Sequence, residues 1–229
     1  MNVPLLPIEV RTVAAPQPVP PSPYAFAEME PDAEGLVGHG ADFEPATVIA
    51  AYRAGCFPWP HPSFERLWFS PDPRAILPVA GLHVSRRLAR TLRRGGFRIT
   101  VDAAFPAVMS ACARGRPEGT WITPGLEHGY VRLHELGWAH SVEAWGPDGT
   151  LAGGLYGIRV GRMFGAESMF HAVRDGSKVA LAGFVQWCRD EGIELVDIQV
   201  LTPHTASLGG IEIRREEYLR RLAAATAVP

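Results

Sequence analysis

The chain has 229 residues, 47% of them hydrophobic, and a formal net charge of -2. This supports one large core, or one core with a smaller attached unit, and excludes an intrinsically disordered protein. No run reaches the roughly 18 apolar residues of a membrane span, and no basic segment leads into an apolar run as in a secretory leader. Cys56, Cys112 and Cys188 are few, odd in number and far apart, which fits reduced thiols in a cytoplasmic protein better than a disulfide framework or a zinc site.

In chain order, residues 1–23 hold Pro16, Pro18, Pro20, Pro21 and Pro23, which predicts an extended or mobile arm with no helix or central strand. A short helix is expected from Pro45 to Gly55, opened by Glu44 and Pro45. Prolines then interrupt every period between Cys56 and Pro78, so that stretch reads as irregular. Ser85 is the expected N-cap of a helix running to Arg94 and closed by Gly95 and Gly96. A strand from Phe97 to Val101, a helix from Ala104 to Ala113 and a helix from Pro124 to Leu136 follow.

Period-two segments come next. Ala139–Trp145 and Leu151–Val160 flank a Gly146–Gly149 turn, and Arg162–Phe170 makes a third strand. An amphipathic helix spans Gly176–Asp190, then a strand Glu194–Val200, a strand Ile211–Ile213 and a helix from Arg215. A meander followed by a helix and another strand is an α+β pattern, one sheet buried under helices.

Three features are candidates for chemistry. Strict alternation puts Asp197 and Gln199 on one face of the strand VDIQV, with Val196, Ile198 and Val200 on the other. Spacing alone favours a plain account, an edge strand with one solvated face. Glu167 lies among Met163, Phe164, Met169 and Phe170, where a carboxylate requires a partner or acquires a perturbed pKa; a structural carboxylate paired with an arginine accounts for it equally well. Arg86, Arg90, Arg93 and Arg94 share one helical face at positions i, i+4, i+7 and i+8, with Arg87 and Arg98 nearby and no acid among them. Such a ridge suits a phosphate backbone, since like charges at this spacing cost stability when unpartnered.

Of the 22 Lys and Arg residues only Lys178 is a lysine, a usage that a GC-rich genome explains better than a phosphate-bearing partner does. Trp59, Trp68, Trp121, Tyr52 and Tyr130 serve either as core or as stacking surfaces for bases. No His or Cys pair has metal-ligand spacing, no G-x-S-x-G elbow marks a serine nucleophile, and the glycine pairs are too isolated for a phosphate loop.

The runs AYRAGCFPWP, WFSPDPRAILP, LHVSRRL, TWITPG, GLYG, ESMF, SKVAL, DIQV and PHTASLGG, in this order from about Gly35 to Leu222, resemble the leucyl/phenylalanyl-tRNA–protein transferases. The resemblance implies an acetyltransferase-related (GNAT-like) catalytic domain, here 81–229, preceded by a small N-terminal α/β domain at 25–80 and the Pro-rich arm at 1–24. It implies transfer of Leu or Phe, and less often Met, from aminoacyl-tRNA to proteins beginning with Arg or Lys, an N-end rule degradation signal. No cofactor, metal or membrane is implied.

Residue by residue, Asp197, Gln199 and Glu167 match catalytic positions, and Leu155, Phe164, Leu181, Phe184 and Val196 the side-chain pocket. Trp59 and Trp121 match positions near the terminal adenosine, with Tyr52 and Tyr130 nearby, and Cys188 stands at a pocket position that is often aromatic. Arg86, Arg90, Arg93 and Arg94 match positions that grip tRNA. Two rivals remain: an acyl-CoA-dependent acetyltransferase, opposed by Glu167 ending the nearest phosphate-loop candidate, and a non-catalytic tRNA-binding module.

Overall fold

The computed structural model describes residues 6–11, 15–61, 64, 66–114 and 119–227. In chain order the elements are β1 (Ile8–Val10), β2 (Leu36–His39), α1 (Pro45–Arg53), β3 (Phe57–Pro58), β4 (Leu67–Phe69), β5 (Arg74–Ile76), α2 (Arg86–Arg94), β6 (Arg98–Val101), α3 (Phe105–Ala113) and α4 (Pro124–Glu135). They continue as β7 (Ala139–Trp145), β8 (Leu151–Val160), β9 (Met163–His171), α5 (Gly176–Asp190), β10 (Leu195–Gln199), α6 (Pro203–Ser207), β11 (Ile211–Ile213) and α7 (Arg215–Thr226).

Eight strands form one mixed sheet in the order β1-β6-β7-β8-β9-β10-β5-β11, parallel at β1/β6 and β9/β10 and antiparallel elsewhere. Helices α2 and α5 bury one face, through Leu88, Leu92, Phe184 and Trp187. Helices α1, α3, α4 and α7 bury the other, through Tyr52, Phe105, Tyr130 and Tyr218. Apolar periodicity in the helices and alternation in β8 make this three-layer arrangement the way to remove both faces from water.

Helix starts follow local chemistry. Ser85 Oγ accepts from Leu88 N at 3.1 Å, and Thr123 Oγ1 from Leu126 N at 3.3 Å, each satisfying an amide the helix cannot. Gly95, at φ 70°, closes α2.

The 56–78 stretch, expected to be irregular, holds three short strands among its described residues. Leu67–Phe69 pairs with Phe57–Pro58 on one side and with β2 on the other in a three-stranded sheet, order β2-β4-β3, around buried Trp68. Trp68 Nε1 donates to the Gly40 carbonyl at 3.0 Å. Arg74–Ile76 joins the large sheet between β10 and β11. Strands of two or three residues are too short to display a period. The proline-rich arm contributes β1, paired only at the sheet edge with β6, where proline nearby is tolerated.

Candidate active site

Parallel strands β9 and β10 pair through Leu195, Val196 and Asp197, opposite Met163, Phe164 and Gly165, and then part. Residues beyond that point on both strands, including Ala166, Glu167, Ile198 and Gln199, line a cavity of about 380 Å³, within the range of small-ligand sites. Each strand is irregular where it leaves its partner. Tyr156 faces Ser168 and Gly157 faces Ala166, so Glu167 is the extra residue of a β-bulge, a device that re-aims one side chain. Gln199 sits at φ 58°, and the β10/β5 register shifts between it and Asp197. A left-handed glutamine is strained and persists only where its surroundings impose it.

The bulge turns Glu167 toward two tyrosines. Tyr52 Oη donates to Glu167 Oε1, and Tyr130 Oη lies 3.2 Å from Tyr52 Oη. The Tyr52 ring passes beneath β9 because residue 165 is glycine; a Cβ there would meet the ring at 2.7 Å. Burial pushes the Glu167 carboxyl up to about 8, reinforced by the nearby Asp197 charge, against the lowering effect of its tyrosine hydrogen bonds and Arg74. Both phenols are themselves pushed well up, first by burial and then by Glu167, so they remain donors. Near neutral pH Glu167 is a largely protonated acid on the cavity wall.

Asp197 lies on the opposite side of β10. It is fully buried, and Arg74 grips it with Nε at 2.8 Å and Nη2 at 2.6 Å. Tyr218 Oη donates to Oδ2 at 2.9 Å, and the Gln199 amide N–H to Oδ1 at 3.0 Å. Arg74 Nη1 donates to the Gly55 carbonyl at 3.0 Å, and the guanidinium lies over the Phe57 and Tyr218 rings at 4.7 and 4.4 Å. The Asp197–Gln199 bond holds the left-handed turn. Assigned in the orientation that satisfies its contacts, the Gln199 side-chain amide nitrogen donates to the Ala166 and Ile198 carbonyls at 3.0 and 3.1 Å; with oxygen there the contacts would be repulsive. Both amide protons are thereby used, leaving Oε1 as the free acceptor on the rim.

Several expectations change. Alternation fails at Gln199, which lines the cavity with Val196, Ile198 and Val200 while Asp197 does not. Leu155, Leu181, Phe184, Trp59 and Trp121 line the cavity, Trp59 being 43% exposed. Phe164 is one layer behind, fully buried against Phe184 at 4.8 Å between ring centres. Cys188 is likewise buried and off the cavity wall. Tyr52 and Tyr130 are fully buried and support Glu167; they cannot flank an adenosine. Arg74 and Tyr218 escaped the sequence reading, although an arginine inside the apolar run RAIL signals a buried carboxylate elsewhere.

Arg86, Arg90, Arg93 and Arg94 are exposed on α2, and none bonds a carboxylate among the described residues. Their neighbours differ: Arg87 pairs with Asp175 at 3.1 Å and Arg98 with Glu9 at 3.1 Å, acids that are distant in sequence.

A forked sheet over an apolar cavity, with an acid and an amide on its rim, is shaped to take a polar group that carries an apolar substituent. The profile of the leucyl/phenylalanyl-tRNA protein transferases matches residues 76–223, and that of their N-terminal domain residues 41–72. The leucyl/phenylalanyl-tRNA–protein transferase of Anaeromyxobacter sp. (strain K) is 50% identical over 216 residues, 93% of this chain and 90% of the relative. That of Shigella sonnei (strain Ss046) is 48% identical over 202 residues, 88% and 85% of the two chains. Among solved structures, L-PGS from Bacillus licheniformis shares 13% identity with a TM-score of 0.41 over 58% of this chain and 47% of its own, too remote to carry a functional argument. The chain belongs to the leucyl/phenylalanyl-tRNA protein transferase family and is an aminoacyltransferase.

Proposed function

We propose that this protein transfers Leu or Phe, and less readily Met, from aminoacyl-tRNA to the N-terminal Arg or Lys of acceptor proteins in the cytoplasm, creating an N-end rule degradation signal. The observation that carries the reading is the forked cavity, whose apolar wall of Leu155, Leu181, Phe184 and Val196 faces a rim bearing Glu167 and Gln199. We read the architecture as an acetyltransferase-related domain (81–229) with a small N-terminal unit (25–80), strand β5 of the latter being lent to the large sheet.

The donor is an ester and already activated. The acceptor's neutral α-amine attacks the ester carbonyl, a C–N bond forms, the C–O bond to the terminal ribose breaks, and the amine proton ends on the ribose oxygen. Gln199 Oε1 accepts one N–H of the attacking amine and orients its lone pair. Asp197, held by Arg74 and Tyr218, is a positioning residue that keeps Gln199 turned to the rim. Glu167, with a pKa near that of an α-amine, holds the donor amino group by a shared proton. Trp59 and Trp121 offer ring faces for the terminal adenine. The apolar wall rejects polar side chains strongly and separates Leu from Phe weakly.

Radiolabelled leucyl-tRNA incubated with peptides beginning Arg, Lys, Asp or Ala tests the reading. Product is expected with Arg and Lys; no product with either overturns it. Gln199→Gly keeps the left-handed backbone without steric cost but removes the acceptor. It should lower transfer about 100-fold with binding of aminoacyl-tRNA changed by less than about twofold.

A further inference from the structure

The aminoacyl cavity shares a wall with another. Met169 of β9 and His204 of α6 line both it and a second cavity of about 500 Å³. The second is walled by Arg87 from α2, His171 and Arg174 around the β9–α5 turn, and Lys178 in the first turn of α5. Its one carboxylate, Asp175, is already engaged by Arg87 at 3.1 and 3.2 Å and by Thr91 Oγ1 at 3.4 Å. Asp175 makes no capping bond to α5. Neither Arg174 nor Lys178 has an ion-pair or hydrogen-bond partner among the described residues. Burial, together with Lys178 and His171, also holds the His204 pKa below its ordinary value. Positive charge therefore exceeds what the walls compensate, and a concave cationic site attracts an anion.

The position adds to the chemistry. One side of this cavity is the aminoacyl site; the other is Arg87, which stands on the same helix as the exposed Arg86, Arg90, Arg93 and Arg94. An aminoacyl ester seated in the apolar cavity must trail a strand carrying one charge per nucleotide. Resting on the transferase reading above, we propose that the cationic cavity seats the phosphodiester groups just 5′ of the terminal nucleoside, with Lys178 and Arg174 as their contacts. Ester, strand and stem then occupy three successive stations: the apolar cavity, the cationic cavity and the arginine helix.

A ladder of donors tests this. Transfer to an Arg-initiated peptide is measured from full-length phenylalanyl-tRNA, from a phenylalanyl CpCpA trinucleotide and from phenylalanyl-adenosine, which has no phosphate. The Lys178→Gln/Arg174→Gln double variant should lose about tenfold more kcat/KM with the two phosphate-bearing donors than with the nucleoside. Lys178→Arg, retaining the charge, should restore most of the difference. Arg90→Ala should penalise the full-length donor more than the trinucleotide, separating the helix from the cavity. Equal losses with trinucleotide and nucleoside, or no loss with either, overturn the assignment. Inorganic phosphate that competes with the nucleoside donor as strongly as with the trinucleotide would assign the cavity to a free anion and overturn it too. Wild-type protein inactive with all three donors would instead remove the transferase reading, and this inference with it.

Discussion

Arg74 and the arginines of α2 carry the same guanidinium into opposite surroundings. Arg74 is fully buried, its nitrogens committed to Asp197 and the Gly55 carbonyl and its faces covered by Phe57 and Tyr218. Arg86, Arg90, Arg93 and Arg94 stand in water, on a helix kept in place by its Ser85 cap and by Leu88, Ala89 and Leu92 beneath. In the first case the charge is used up in architecture: it fixes a carboxylate, which fixes the turn that carries Gln199. In the second the protein folds without using the charge, which stays available to a ligand. Removing a buried ion costs several kcal/mol in its partner's desolvation, whereas removing an exposed one costs almost none.

The sharpest way to break this contrast is Asp197→Ala, which strands Arg74 in the core. It should cost about 3–5 kcal/mol in stability by denaturant titration and suppress transfer. The double variant Arg74→Met/Asp197→Leu should recover most of the stability, because neither charge is then orphaned, yet stay poor at transfer because the Gln199 N–H has lost its acceptor. A stable double variant that transfers at the wild-type rate would make Asp197 architectural alone. At the exposed pole, Arg90→Ala/Arg94→Ala should leave stability within about 0.5 kcal/mol. It should weaken tRNA binding and lower the slope of log K against log salt by about 0.9 for each phosphate that is no longer neutralised. An unchanged slope would reduce the ridge to a solvated surface.

Glu167 lies between the two poles, a carboxyl desolvated without a cation of its own. Its folded pKa of about 8 stands above the ordinary 4.5, so the folded state holds the extra proton. The stability linked to that proton is complete below the ordinary value and is lost as pH rises toward and through 8. The urea midpoint of the wild type should fall across that window, and Glu167→Gln should flatten the decline. A wild-type midpoint indifferent to pH there would mean that Glu167 is solvated.

Much of this was legible in the chain. Helix α5 and strands β7 and β8 fall on their expected boundaries, because long amphipathic or alternating segments declare their period. Ser85 announced α2, and the four arginines lie where spacing placed them. What escaped depends on long-range pairing. Strands β3 and β4 consist of two and three residues with prolines around them, and are strands only because β4 meets β3 on one side and β2 on the other. Alternation misplaced Gln199 because a register shift and a positive φ are imposed by β5 and by the Asp197 carboxylate. Tyr52 and Tyr130, far apart in the chain, reach Glu167 only through a bulge and a glycine.

The short first strand has a consequence of its own. Without β1, that margin of the large sheet would be β6, a run of alternating side chains with open backbone groups, the kind of border on which a stray chain propagates a sheet. Instead the border is three residues long, introduced by Pro7 and tied down where Glu9 meets Arg98. A segment whose composition suggests mere slack thus works as selvedge, finishing the fabric so that it does not extend into a neighbour.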